Sequence, residues 1–307
     1  MSFKLTKIGL KIPGVLLLTK VLKKIVIPGF EGLSIYDLVK MYVNGIVEGA
    51  FSTRASAISF SVFTAIFPFL LFLLNLISVI PIDGFQEEFI VFINSLLPPR
   101  TSDFFDSIIY DIANKPRPGL LSSTFVLSMV FMTNGINAVF SGFQNSFHTK
   151  ISRNFLKQYG VAFWVAIIVA LFLISTVYII LYFTYLVTAY EQFLIGDTIF
   201  WLKFGRVGIF ILMIFTTMAT LFYFGTKEGR ITRFFSPGAV LTTVLIIVTT
   251  YLFGFYIDNF SRYNELYGSI GALLILMFYI WINANLVLLG YELNASLRNL
   301  KMQTVNK

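Results

Sequence analysis

The residues of this chain best placed to do chemistry are amides and one pair of opposite charges, and all stand in or beside apolar runs. Asn134, Asn137, Ser141, Gln144, Asn145 and His148 recur at steps of 3, 4, 3, 1 and 3. That spacing sets them on one helical face, uncharged until its end. In lipid such a face must be covered, and two readings are open. One is interhelical hydrogen bonding, which amides commonly provide; the other is a polar cavity or substrate path. Asn283 and Asn285 lie in the second half of the apolar run Tyr267 to Ala295, and Glu292 and Asn294 stand where that run ends. No charge falls between Glu265 and Glu292, and ~20 apolar residues suffice to cross a hydrocarbon core. This helix therefore turns its amides toward other protein. Arg54 begins the first apolar run and Glu292 ends the last, so both fall at one membrane boundary. Their signs predict an ion pair tying the first span to the sixth, with Asn294 supporting it. A structural tie and a proton- or ion-coupling role are both consistent with paired intramembrane charges.

Catalysis of the soluble type has little to work with. The chain has no cysteine and one histidine, His148. A disulfide framework, a thiolate or zinc cluster, a Ser-His-Asp arrangement and a Gly-rich phosphate loop are all excluded as readings. No catalytic residue, metal or cofactor is assigned. Glu228, among Lys227, Arg230 and Arg233, is the one cytoplasmic-loop carboxylate beside a basic cluster, and it reads as a solvated loop.

Composition supplies the elements that must position these groups. At 57% hydrophobic and 12% charged residues, with mean hydropathy +0.82, the chain reads as an all-α, polytopic membrane protein. Charge-free runs lie between Arg54 and Asp83, Arg117 and His148, Lys157 and Glu191, Arg206 and Lys227, Arg233 and Asp258, and Glu265 and Glu292. Each is long enough for one transmembrane helix, giving six. Continuous apolar runs, rather than short alternating ones, argue against a β-barrel. With the N-terminus in the cytoplasm, 17 of the 23 Lys and Arg fall on cytoplasmic segments. The positive-inside bias thus places both termini there. The net charge of +8 is mostly a topology signal, and because it is spread over four segments nucleic acid is not an expected partner. Membrane lipids are.

In chain order, 1–53 is a basic, amphipathic cytoplasmic segment. Residues 1–30 suit either a helix lying on anionic lipid or a partly disordered tail, and 34–52 a second amphipathic helix capped by Ser34. The transmembrane domain covers 54–298, followed by a cytoplasmic tail, 299–307. Pro68, mid-way in the first span, predicts a kink that frees the carbonyl of Thr64. The extracytoplasmic segment 81–118 predicts two short interfacial helices, FQEEFIVFINSLLP and TSDFFDSIIYDIANK, serving as a lid or a partner surface. The third span is read over 160–188, with Tyr178, Tyr182 and Tyr185 in its outer half. The fourth is read over 207–225, where Thr216, Thr217 and Thr220 bond back to their own helix.

A set of short motifs then adds a resemblance. Arg54-Ala55 with Ala57 and Phe60 enters the first span, which also holds Phe67-Pro68; Pro237-Gly238-Ala239 opens the fifth. Tyr256, Asn259-Phe260 and Tyr263-Asn264 leave the fifth, Tyr267-Gly268-Ser269 and Gly271-Ala272 open the sixth, and Glu292-Leu293-Asn294-Ala295 closes it. In order and spacing, over about residues 35–298, the chain resembles the YihY/virulence factor BrkB family, six-span proteins of the bacterial inner membrane formerly called ribonuclease BN. It departs at Tyr291, where that family usually has a small residue. The resemblance implies the fold and the membrane; the ribonuclease label has no support in these residues, since hydrolysis of RNA needs clustered carboxylates for metal or an acid and base beside the phosphate.

Three function classes follow. A transporter or translocase of a lipid or amphiphile would line a cavity with Asn134, Asn137, Ser141, Gln144, Asn283 and Asn285 beside the Pro68 kink. A structural or partner-binding membrane protein would spend the same amides on helix contacts. A membrane hydrolase stands last.

Overall fold

The computed structural model describes residues 50–77, 84–96, 118–144, 153–190, 197–231, 233–260 and 270–305, with single positions at Leu22, Lys24, Ser34 and Tyr36. Seven α-helices stand among these residues: α1 (Ala50–Ile77), α2 (Phe85–Leu96), α3 (Pro118–Gln144), α4 (Phe155–Ala189), α5 (Thr198–Gly225), α6 (Pro237–Phe260) and α7 (Ile270–Val305). All but α2 are long and apolar enough to cross a membrane. A helix is the form such runs must take, because it alone pairs every backbone N–H and C=O within the segment when no water can. The chain is thus an all-α, six-span membrane protein.

The six long helices form a closed ring. Each packs on its successor in the chain, α1 most extensively on α3, and α7 returns to α1. Buried alanines on the ring's inner contacts, Ala55, Ala162, Ala219, Ala239, Ala284 and Ala295, let the backbones approach. Larger side chains fill two cores. One, toward the Arg54 end, gathers Ile58, Phe140, Phe143, Phe222, Leu288 and Tyr291. The other, toward the Arg206 end, gathers Phe72, Leu73, Met132, Val177 and Met213 with Phe89, Phe92 and Ile93 of α2.

Element boundaries shift from expectation in ways that matter. α1 begins at Ala50, a turn before Arg54, and α7 runs on to Val305. α5 begins at Thr198 rather than 207. Its first turns carry Lys203 and Arg206, charges that ended the apolar run, and Asp197 caps it by accepting from Ile199 N at 3.0 Å. The helix α1 continues through Pro68. Thr216 and Thr220 do bond back to their own helix, and Tyr178, Tyr182 and Tyr185 are exposed as a belt would be. The amphipathic helices expected over 1–30 and 34–52 are described only at Leu22, Lys24, Ser34 and Tyr36 and at 50–52, the last of which belong to α1; the second helix expected over 101–115 lies outside the described residues.

The helix expected at FQEEFIVFINSLLP is present as α2, but it is inserted rather than resting on an interface. Gly84, at φ +76°, turns the chain with a conformation that favours glycine, and its carbonyl accepts from Glu88 N at 3.1 Å. Three residues on one face of α2 then enter the ring, with Phe89 fully buried and Phe92 edge-on to Phe210 of α5.

Candidate functional site

The two ends of the ring are closed by different devices. At one end Arg54 and Glu292 meet at 3.3 Å, their side chains 9% and 5% exposed. Arg54 Nη1 also donates to the carbonyl oxygen of Gly142 at 2.9 Å, and its guanidinium sits 5.0 Å from the Phe51 ring centroid. One cation therefore joins α1, α3 and α7. Beside it Tyr291 stacks on Phe143, centroids 4.3 Å apart and planes at 9°, and its hydroxyl donates to Thr226 Oγ1 at 3.3 Å. The large residue at 291 is accommodated because Gly225 gives Phe143 its room: a Cβ there would stand 2.5 Å from Phe143 Cδ2.

Asn294 does not reach the ion pair. Its Nδ2 donates to Ser236 Oγ at 2.8 Å and its Oδ1 accepts from Gly238 N at 2.8 Å. It completes the start of α6, where Pro237 follows Ser236, and Ser236 Oγ accepts from Ala239 N at 3.3 Å. This brings α6 against α7 at Gly238 and Gly290. A Cβ on Gly290 would overlap Thr242 Oγ1 and lie 2.9 Å from the Gly238 carbonyl oxygen. Only glycine leaves space for that crossing.

The polar stripe on α3 is covered by a residue the apolar pattern had left outside the third span. Gln158 of α4, 5% exposed, donates from Nε2 to Asn137 Oδ1 at 2.7 Å and to Ser141 Oγ at 3.0 Å. Its Oε1 accepts from Gln144 Nε2. Tyr159 donates to Asn134 Oδ1 at 3.0 Å. Four residues expected to line a path are thus brought together, and their hydrogen bonds run between two helices. Asn145 and His148 lie outside the described residues.

Asn283 and Asn285 separate. Two residues apart, they point about 200° from each other around α7. Asn283 follows by one turn Tyr279, whose hydroxyl meets Thr250 of α6 at 2.6 Å; Asn285 precedes Glu292 by two turns. Each donates to its own helix, Asn283 to the carbonyl oxygen of Tyr279 at 2.9 Å and Asn285 to that of Trp281 at 2.8 Å. Both Oδ1 atoms are buried without a partner. Neither amide is hydrogen-bonded to the α3 stripe.

At the other end, Arg206 and Glu88 hold α2 in the ring at 2.6 Å, with Thr184 Oγ1 at 3.4 Å from Arg206 Nη2. A cleft of about 300 Å³ opens there, lined by Glu88, Val91, Phe92, Ile180, Arg206, Val207 and Phe210. Its walls are apolar and its polar groups are that one pair. Sequence reasoning missed this site. Arg206 was read as a loop charge and Glu88 as one of an interfacial helix, and an acid and a base 118 residues apart carry no mutual signal. Among the described residues, no group of three or more His, Asp or Glu stands close enough to hold a metal ion.

Comparison with known proteins sets this architecture in a family. A ribonuclease-like protein of Bacillus subtilis, YfkH, is 24% identical over 251 residues, covering 81% of this chain and 90% of YfkH. A UPF0761 membrane protein of a Psychrobacter species is 22% identical over 283 residues, 91% of this chain and 51% of that protein. A UPF0761 membrane protein of Xanthomonas axonopodis pv. citri is 39% identical over 67 residues, 22% of this chain and 16% of that one. The match thus spans about half or less of these two UPF0761 proteins. No solved structure matches. The family model described as Virulence factor BrkB matches residues 43–307, and with its six-span ring this chain belongs to the virulence factor BrkB family.

Proposed function

We propose that the protein is a translocase of an amphiphile, resident in the bacterial inner membrane with both termini in the cytoplasm. The observation that carries this reading is the cleft beside α2. Apolar walls with a single ion pair match a molecule that has an apolar tail and a charged head, and α2, which lines the site, is a short helix held to the ring by the Glu88–Arg206 pair and by Phe89, Phe92 and Ile93. The buried, unpartnered Oδ1 atoms of Asn283 and Asn285 are acceptors that a rearranged ring would offer to a passing head group. Mechanistically, departure of α2 opens the Arg206 end, and parting of Arg54 from Glu292 with unstacking of Tyr291 opens the other.

This is a non-enzymatic role. The ribonuclease-like name belongs to the Bacillus protein, and the two described carboxylates nearest to arginines here, Glu88 and Glu292, are engaged in ion pairs rather than free to act as acid or base. The test is flux of a fluorescent lysophospholipid across proteoliposomes. Wild type is expected to move it faster than empty vesicles, and Val207→Trp, which fills the cleft and spares the ion pair, to slow it several-fold. Wild-type flux equal to that of empty vesicles would overturn the proposal. A second reading, a partner-binding or structural membrane protein, is favoured by the α3–α4 contact, whose amides satisfy one another, and it predicts that null result.

A further inference from the structure

Two guanidinium groups converge on one residue at the Arg54 end of the ring. Arg153, two positions before α4, donates through Nη1 to the carbonyl oxygen of Phe224 near the end of α5. Arg230 lies in the 3-10 turn Glu228–Ile231 that follows α5, its Cζ 5.5 Å from the centroid of the Phe224 ring. One cation thus holds the backbone of Phe224 and the other its ring. Among the described residues, neither is ion-paired with a carboxylate.

This is a costly arrangement if nothing else binds there. Arg153 is half-buried; burial first, and the neighbouring charge of Arg230 second, hold its pKa below the ordinary arginine value, with Tyr291 acting in the opposite direction. The positive-inside bias asks only that Lys and Arg stand on this side. It does not ask that two guanidiniums share a residue or that one be buried. Exposed Lys157, Lys227 and Arg233 already answer that requirement. An arginine offers five N–H donors in a planar fork, and Arg153 gives one nitrogen to Phe224. The remaining donors of two adjacent forks suit the tetrahedral oxygens of a phosphate.

The geometry points to a phosphate-binding site at this rim, in which Arg153 and Arg230 together grip one phosphate group, supplied by an anionic lipid headgroup or by phosphate in solution. The site is independent of the translocase reading, which rests on the opposite end of the ring.

The experiment uses the full chain in alkyl-maltoside micelles, which contain no phosphate. The thermal unfolding midpoint is followed while either phosphatidylglycerol or inorganic phosphate is titrated in. Wild type is expected to be stabilised in one arm, and the arm that responds identifies the source. Arg153→Gln and Arg230→Gln are each expected to weaken the response about tenfold or more, as loss of a charge-assisted pair does. Arg230→Lys keeps the charge and the topology but loses the fork, and is expected to fall with them. Lys157→Gln removes equal charge from the same segment and is expected to bind as wild type. A response in neither arm overturns the site, as does a loss in Lys157→Gln equal to that of the arginine variants, which would mean diffuse surface attraction. Arg230 is exposed, so its two variants decide the matter even where Arg153→Gln does not fold.

Discussion

Removing Arg54 tests how the ring is held shut, because that one side chain serves three helices. In Arg54→Met, Glu292 keeps its place at 4% exposure without the guanidinium 3.3 Å away. A buried carboxylate left without its cation costs about 3 kcal/mol. The Gly142 carbonyl loses its donor as well, adding about 1 kcal/mol. The expected loss is therefore about 4 kcal/mol, within the range seen when one member of a buried pair is removed. Glu292→Gln is milder, about 2 kcal/mol, since the amide oxygen still accepts and Arg54 still donates to Gly142. Arg54→Met with Glu292→Met leaves no buried charge at either position and is expected within about 1 kcal/mol of wild type. Glu292→Met, the second single variant, is expected to cost about 3 kcal/mol because the guanidinium loses its carboxylate. With it, equilibrium unfolding in mixed micelles, followed by far-UV circular dichroism, measures all four corners of the cycle. If the double variant loses as much as the two single variants added together, the residues do not act as a pair and the reasoning fails.

Two further outcomes follow from the packing. Gly290→Ala places a Cβ where Thr242 Oγ1 and the Gly238 carbonyl stand and is expected to cost about 1–3 kcal/mol by overpacking; in the same unfolding assay Gly290→Ala with Thr242→Ala should recover part of that loss, and no recovery would place the strain elsewhere. Gln158→Leu strips partners from Asn137, Ser141 and Gln144 at once and is expected to cost about 2 kcal/mol, interhelical hydrogen bonds in membranes being individually modest; a neutral result would mean those amides find other partners.

Six spans were legible because lipid imposes a length and forbids charge, and both rules act locally along the chain. The same rules misplaced the ends. Lys203 and Arg206 ended the fourth apolar run, yet a helix does not stop at a charge that finds a partner, and the partner of Arg206 is Glu88 on another element. Gln158 was passed over because the third span was read only from 160, although the charge-free run begins just after Lys157. The α3 stripe itself was plain from its spacing, but spacing shows only that a face must be covered, and what covers it is a tertiary fact. Arg54 and Glu292 could be matched from sequence because the bilayer supplies a common depth reference for residues 238 apart. Asn294 shares that depth and faces α6 instead, since depth is set by position along the chain and direction by the helical turn. α2 was read from its amphipathic spacing, and its burial was not, because an interface and a ring interior attract the same residues.

The closure of the ring through α1 and α7 also orders the assembly of the protein in time. Arg54 enters the bilayer with α1, and Glu292 arrives six helices later with α7. Until then the guanidinium can turn to the Gly142 carbonyl, which comes with the second span and is the bond that survives in the finished fold at 2.9 Å. A chain halted after α6 therefore holds Arg54 without the carboxylate that pairs with it in the finished fold.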